Sequence, residues 1–348
     1  MSYFCHDGQY FYSAKDEKYL FHEPFLTFVT EASTNTFDPA FTVSAGTLHW
    51  DLGDGSILDS NAFEHTYAEA GNKTVKVYKG TTENINTITQ IKIGNDDLVG
   101  TLNLSSLGNL GGQFLSFENP NLTSILNPVS SETFIIYAVY DCDITGTLDL
   151  SNLTGFGGEA LFYLNPNLTQ ILNPTSSETF TNYQAYSCNL TGTLDLTGLT
   201  GLGGWIKLQT NSNLTQILNP TSSTIIYYYD AYDCSLSGTL DVSGLTGLKS
   251  IFQVYNNSNL CEIILPDTLS HPIKIFDADD CSLSQTTVDN VLSKLNVFFD
   301  ASAPVDSLTV DLGGGTNMSP TDGESNADIV NLTSIFSDAE QDLTITIN

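Results

Sequence analysis

The chain has 348 residues, 41% of them hydrophobic, enough to bury the core of one large domain or of two or three ordinary ones. Its charge is lopsided: 40 acidic residues stand against 10 basic ones, all of them Lys, for a net charge of −30. This surplus argues against nucleic acid or anionic membrane as partners, because phosphate binding relies on basic neutralisation; with no run of about 18 apolar residues, no membrane insertion is expected either.

The start, MSYFCHDGQYFYSAKDEKYLF, lacks a basic stretch followed by an apolar one, so no secretory signal is expected. Residues 1–22 are rich in Tyr and Phe (Tyr3, Phe4, Tyr10, Phe11, Tyr12, Tyr19, Phe21). They read as an N-terminal arm that either extends the following domain or docks on another subunit. Cys5-His6 is too sparse for a metal site.

Residues 23–95 alternate as strands between turns, in FLTFVTEA, FTVSAGTLHWDLGDGS, HTYAEAGNKTVKVYKG and INTITQIKI. Trp50, Asp51, Gly53, Asp54 and Gly55, followed by His65, Thr66, Tyr67 and Gly71, resemble the PKD-type β-sandwich. The resemblance implies an immunoglobulin-like spacer or contact module.

From 96 to 283 a period governs the chain. Four of the six cysteines, Cys142, Cys188, Cys234 and Cys281, step by 46, 46 and 47; Asn119, Asn165, Asn211 and Asn257 step by 46 midway between them. Such a period indicates a solenoid of eight coils of about 23 residues. Around each cysteine runs apolar-x-apolar-x-x-Cys-x-Leu, as in Tyr229, Ala231, Cys234 and Leu236, which resembles the leucine-rich repeat; Leu-Ser-Gly and Leu-Thr-Gly resemble its longer, plant-like variant. The coils after Asn depart by one residue, the next Leu coming late, as from Asn211 to Leu214. Each coil is expected to give a short parallel strand and then turn with its ladder residue inside, Asn bonding backbone groups and Cys acting as a compact filler with a weak S–H donor. Ladder cysteines two coils apart lie about 10 Å from each other, too far for a disulfide. Leu102, Leu148, Leu194 and Leu240 mark a flanking second strand, and Pro128, Pro174, Pro220 and Pro266 a turn, so the unit is a pair of unlike coils. Cys261 and Cys5 fall off the ladder.

Residues 284–348 read as an α/β cap: a helix with Val288, Val291, Leu292 and Leu295 at helical spacing and Ser284 as N-cap, a strand in SLTVDLGGGTNMSP, a short helix near 326–336, and DLTITIN. The fold class is therefore mainly β: sandwich, solenoid, cap.

No enzyme chemistry stands out. None of the five histidines joins a nucleophile motif, and GGGT at 313–316 lacks the Lys-Ser/Thr of a phosphate loop. No catalytic residue, metal site or cofactor is expected; Ca²⁺ at Asp51 and Asp54, or at Asp277, Asp279 and Asp280, is the weaker reading, since no Ca²⁺-loop pattern appears. The N-x-S/T triplets at Asn121, Asn167 and Asn213 follow the repeat consensus, which makes glycosylation the weaker reading. Two residues before each ladder position comes an outward one: Phe117, Tyr140, Tyr163, Tyr186, Gln209, Tyr232, Tyr255, Asp279. Six of these eight are aromatic, a stripe expected to run about 29 Å along a concave face, mid-strand, flanked by Glu118, Asp141, Gln184, Asp230, Asp233 and Asn256. A row of surface aromatics suggests a contact face for glycan or protein.

The sandwich-plus-repeat layout resembles structural proteins of Bacteroidetes phages and exported bacterial surface proteins. The resemblance implies a non-enzymatic virion protein, a fibre or host-recognition component, anchored to other virion proteins by its N-terminal region and touching a host-surface glycan or protein with its solenoid. A particle location implies a homo-oligomer. A cell-surface adhesin or glycan-binding module and a cytosolic protein-interaction scaffold are the alternatives.

Overall fold

The computed structural model describes the chain except residues 1, 7–8, 15–16, 22, 33–35, 45, 80–87, 176–178 and 302–306; for 2–21 and Lys79 it describes backbone alone. The aromatic side chains of the N-terminal arm, Cys5 and His6 thus lie outside the described residues. The fold is mainly β, with a β-solenoid of about eight turns and a small C-terminal helical part. The chain divides into two compact units, Met1–Phe156 and Gly157–Asn348.

The first unit opens with a three-stranded antiparallel meander, Ser2–His6, Gln9–Ala14 and Glu17–Phe21. Residues 23–95 then build parts of two sheets. Leu26–Ala32 pairs antiparallel with Gly71–Lys79, which pairs with Leu48–Asp51. Ala40–Val43 pairs with Ile88–Lys92. Apolar alternation buries Phe28, Phe41, Trp50, Val75, Val77 and Ile91. Phe41 meets Trp50 edge-on at 5.1 Å, and the indole N–H of Trp50 donates to Ser60 O at 2.8 Å. The WDLGDG turn closes on itself. Asp51 accepts from Gly53 N, and Asp54 accepts from Ser56 N and meets His65 at 2.9 Å. Hydrogen bonding continues through position 95. Ile88–Lys92 runs parallel to the first coil strand, Gly112–Leu115, and Leu26–Ala32 pairs with Leu98–Asn103.

Coil strands stack in parallel in both units. In the first, Gly112–Leu115 pairs with Phe134–Ala138. In the second, Gly158–Leu161, Phe180–Gln184, Gly204–Lys207, Ile226–Asp230, Leu248–Gln253 and Ile273–Asp277 follow one another as parallel neighbours, most pairs with a register shift near the strand start. Gly112 and Gly204 open their strands at a crowded point. Gly204 has φ +66°, and a β-carbon there would fall 1.5 Å from Thr181 O, so no other residue fits this backbone. The GTL segments form the flank, as Thr191–Asp195 with Asn213–Leu218 and Ser237–Asp241 with Asn259–Ile264. Each such pair joins a Cys coil to the next Asn coil.

A second buried network occupies the core. The fully buried Tyr137, Tyr183 and Tyr229 donate to Asn127, Asn173 and Asn219 Oδ1 at 2.7, 3.2 and 3.2 Å. Those amides donate in turn to the carbonyls of Asp149, Asp195 and Asp241. Burial raises all three phenols well above the ordinary tyrosine range, so they stay protonated donors. In the last Cys coil Phe276 replaces the Tyr, and Leu265 stands before Pro266 where the other coils have Asn: hydroxyl and acceptor disappear together.

The C-terminal part matches its expected elements. Helix α1, Gln285–Ala301, is capped by Ser284 Oγ accepting from Thr287 N at 3.2 Å. Helix α2, Ala327–Asp338, is capped by Asn326. Phe299 and Phe336 pack the helices together at 5.0 Å, and the strands Leu308–Asp311 and Leu343–Thr346 extend the parallel sheet.

Each coil turns on a left-handed residue. Glu118, Asp141, Leu164, Ser187, Thr210, Asp233, Asn256 and Asp280, one before each ladder residue, have φ between 48° and 60°. For residues other than Gly, Asn and Asp this conformation costs about 1–2 kcal/mol. Leu164 is 42% exposed and contributes little packing to offset that cost. Leu164→Gly is expected to raise stability by about 0.5–1 kcal/mol in chemical denaturation and Leu164→Ala to give no gain; a loss with Gly would contradict the strain.

Candidate functional site

The ladder residues all point inward. Asn119, Asn165, Asn211 and Asn257 are fully buried, and Cys142, Cys188, Cys234 and Cys281 are at most 9% exposed. Asn211 shows the bonding. Its amide donates to Ala185 O of the preceding coil at 2.8 Å and to Leu208 O of its own at 2.7 Å, and its Oδ1 accepts from Leu190 N at 3.1 Å. Asn257 repeats this on Ala231, Val254 and Leu236. The late Leu of these coils has its reason here: the extra residue closes a turn, Leu214 N to Asn211 O at 2.9 Å.

The cysteines do part of the same work. Cys234 Sγ lies 3.5 Å from Leu208 O of the preceding coil and 3.5 Å from Tyr232 O, and Cys142 and Cys188 repeat the geometry. Burial pushes the thiols of Cys142, Cys188 and Cys281 up to about 12 and that of Cys234 up to about 11, so each keeps its donor proton. All five described cysteines are free; Cys261 is exposed.

Two rungs escape the sequence reading. Asp96, 23 residues before Asn119, is 2% exposed and accepts from Asp38 N at 2.7 Å. Burial pushes its carboxyl up to about 7 against the pull of that hydrogen bond. The backward step from Asn119 would have found it. Asn317, 36 residues after Cys281, donates to Ala278 O and accepts from Leu283 N at 2.8 Å. The helix inserted before it hides the period.

Asn211→Ala leaves three buried backbone groups without their partner and is expected to cost about 3 kcal/mol or more. Cys234→Ala removes one weak donor and a small volume, about 1 kcal/mol. Equal costs in urea titration would contradict this division of labour.

The stripe residues lie just past the last residue of each strand, at its turn, rather than mid-strand, and all six are half-buried. The αL residue of one coil donates its N–H to the stripe carbonyl of the next, as Thr210 N to Tyr232 O at 3.0 Å and Asp233 N to Tyr255 O at 3.2 Å. With backbones so held at the strand spacing, rings at equivalent positions fall into face-to-face contact. In the first unit Phe117 stacks on Tyr140 at 5.1 Å and 5°. The preceding stripe position is Gly94, where a β-carbon would fall 2.7 Å from the Phe117 ring. In the second unit Tyr163 stacks on Tyr186 at 4.7 Å and 3°, and Tyr232 on Tyr255 at 4.4 Å and 7°. Stacking covers the ring faces that the paired residues turn to each other. Tyr255 is pushed up to about 12, by burial first and then by Tyr232, Asp233 and Asp277.

Gln209 interrupts the stripe in the second unit. One row inward, the sheet face there carries side chains that the repeat does not foretell. Trp205 is 43% exposed and meets Tyr228 edge-on at 5.5 Å and 74°; Lys207 Nζ lies 5.0 Å from the Trp205 ring and 5.5 Å from that of Tyr228. Asp230, in register with Lys207, is 6% exposed. Its Oδ1 and the Oε1 of Gln209 are buried without a hydrogen-bond partner. Burial pushes Asp230 up to about 6, with Lys207 opposing.

Among the described residues no group of three or more His, Cys, Asp or Glu is arranged to hold a metal ion. Asp277 and Asp279 crowd with Asp311. Asp279 is pushed up to about 6, by burial first and then by these acids and Asp280, and Asp277 rises as well.

Comparison of the chain with models of known protein families, with curated proteins and with solved structures returned no match.

Proposed function

We propose that the protein is a non-enzymatic recognition protein of a virus particle, a leucine-rich-repeat solenoid with a PKD-like N-terminal module that touches a host surface. The observation that supports this reading is the set of stacked aromatic pairs at the strand ends, beside the exposed Asp141, Asp233 and Asn256. Rings fixed at both the backbone and the face lose little entropy on binding, which suits a contact surface. The N-terminal meander and sandwich serve as the anchor to other virion proteins, and the assembly is a homo-oligomer. The net charge of −30 speaks against a polyanionic ligand.

The runner-up is a cell-surface adhesin or glycan-binding module, which uses the same face without a particle. Mass spectrometry of virus particles purified from the source is expected to detect the chain; its absence there overturns the virion placement. In a cell-attachment assay, Tyr186→Ala with Tyr232→Ala is expected to keep the fold, each lost stack costing about 0.5–1.5 kcal/mol, and to weaken attachment. Unchanged attachment would reject the stripe as the contact face.

A further inference from the structure

Within the second unit, the stripe's one gap coincides with a built polar cluster. Gln209 and Asp230 each hold an acceptor atom that is buried and has no donor. An unsatisfied buried acceptor destabilises the empty fold by the desolvation it has lost, and a carboxylate more so. Both residues face outward with Trp205, Lys207 and Tyr228, because strand alternation sends Ile206, Leu208, Tyr229 and Ala231 into the core.

We propose that Trp205, Lys207, Gln209 and Asp230 form a subsite for a neutral saccharide. The assignment rests on the contact reading above and names its ligand. The two orphan acceptors require a ligand that brings donors. A cationic group would bring them, but Lys207 already occupies the aromatic pair and repels a second cation. A sugar hydroxyl suits both neighbours at once: it donates to Asp230 and accepts from Lys207. Trp205 supplies the apolar platform for the C–H face of a pyranose. The stacked stripe rings have spent their inner faces on one another, whereas the neighbour of Trp205 meets it edge-on.

The chain has two tryptophans, and Trp50 is fully buried, so acrylamide quenching reads Trp205. Neutral gluco-, manno-, galacto- and N-acetylgluco-oligosaccharides serve as probes. At least one series is expected to protect Trp205 in the intact protein. Asp230→Asn is expected to weaken that protection about tenfold while leaving thermal unfolding of the sugar-free protein unchanged or higher, because it removes a buried carboxylate whose Oδ1 has no hydrogen-bond donor. Trp205→Ala is expected to abolish binding in calorimetry. The proposal is overturned if no series protects Trp205, if Asp230→Asn binds as the parent does, or if an arginine-rich peptide protects and the sugars do not. If Trp205→Ala attaches to cells normally while the Tyr186→Ala, Tyr232→Ala protein does not, the subsite falls and the contact reading stands; if both attach normally, both fall.

Discussion

The winding of this chain depends on one side-chain amide serving three backbone groups at once. Every coil must turn, and a turn buried against its neighbours leaves N–H and C=O groups with no strand partner. Asn211 meets Ala185 O, Leu208 O and Leu190 N, two of them on the preceding coil. A buried group left unpaired costs about 1–3 kcal/mol, so each Asn rung removes a penalty comparable to a large part of a domain's net stability. The Cys rungs reach the preceding coil with one S–H and leave the remaining groups of their own coil to the Asn of the following one, as Asn257 serves Ala231 O and Leu236 N. Alternation is thus a division between a three-bond rung and a compact one, and it makes the pair of coils the true repeat.

The ladder also sets the surface. Turning the rung inward requires the residue before it to adopt the left-handed conformation, and that residue's N–H then fixes the next coil's stripe carbonyl. Strain at Leu164 or Thr210 is therefore part of what orients the rings of Tyr186 and Tyr232. Buried amides, backbone strain and surface aromatics form one chain of cause, with the strained link supported by the satisfied one. Asp230 and Gln209 stand outside this scheme. Nothing in the coil geometry needs a buried carboxylate with an unbonded Oδ1 on the sheet face, and the proposed ligand accounts for it.

Much of this was legible in the residues. The step of 23 exposes the rungs, the GTL flank strands, and the spacing of Val288, Val291, Leu292 and Leu295 that announces α1. What stayed hidden follows from physics that a period does not carry. Asn317 keeps its role although α1 lengthens the loop before it to 36 residues, because the bond depends on geometry rather than on count. Tyr183 and Asn173 meet across ten residues, and only their joint replacement by Phe276 and Leu265 hints at the bond. Strand ends cannot be placed to the residue, so the stripe was expected mid-strand. Stacking angles depend on side-chain torsions, which the sequence does not state. Trp205 and Lys207 occur once, so repetition gives no signal for them.

The inward ladder is tested most directly by the reactivity of its thiols. In a Cys5→Ser protein, native labelling with a small alkylating reagent read by peptide mass spectrometry is predicted to modify Cys261 fast. Cys142, Cys188, Cys234 and Cys281 should react only as fast as the fold opens. Rapid labelling of Cys188 and Cys234 in the native protein would contradict the buried rungs and everything built on them.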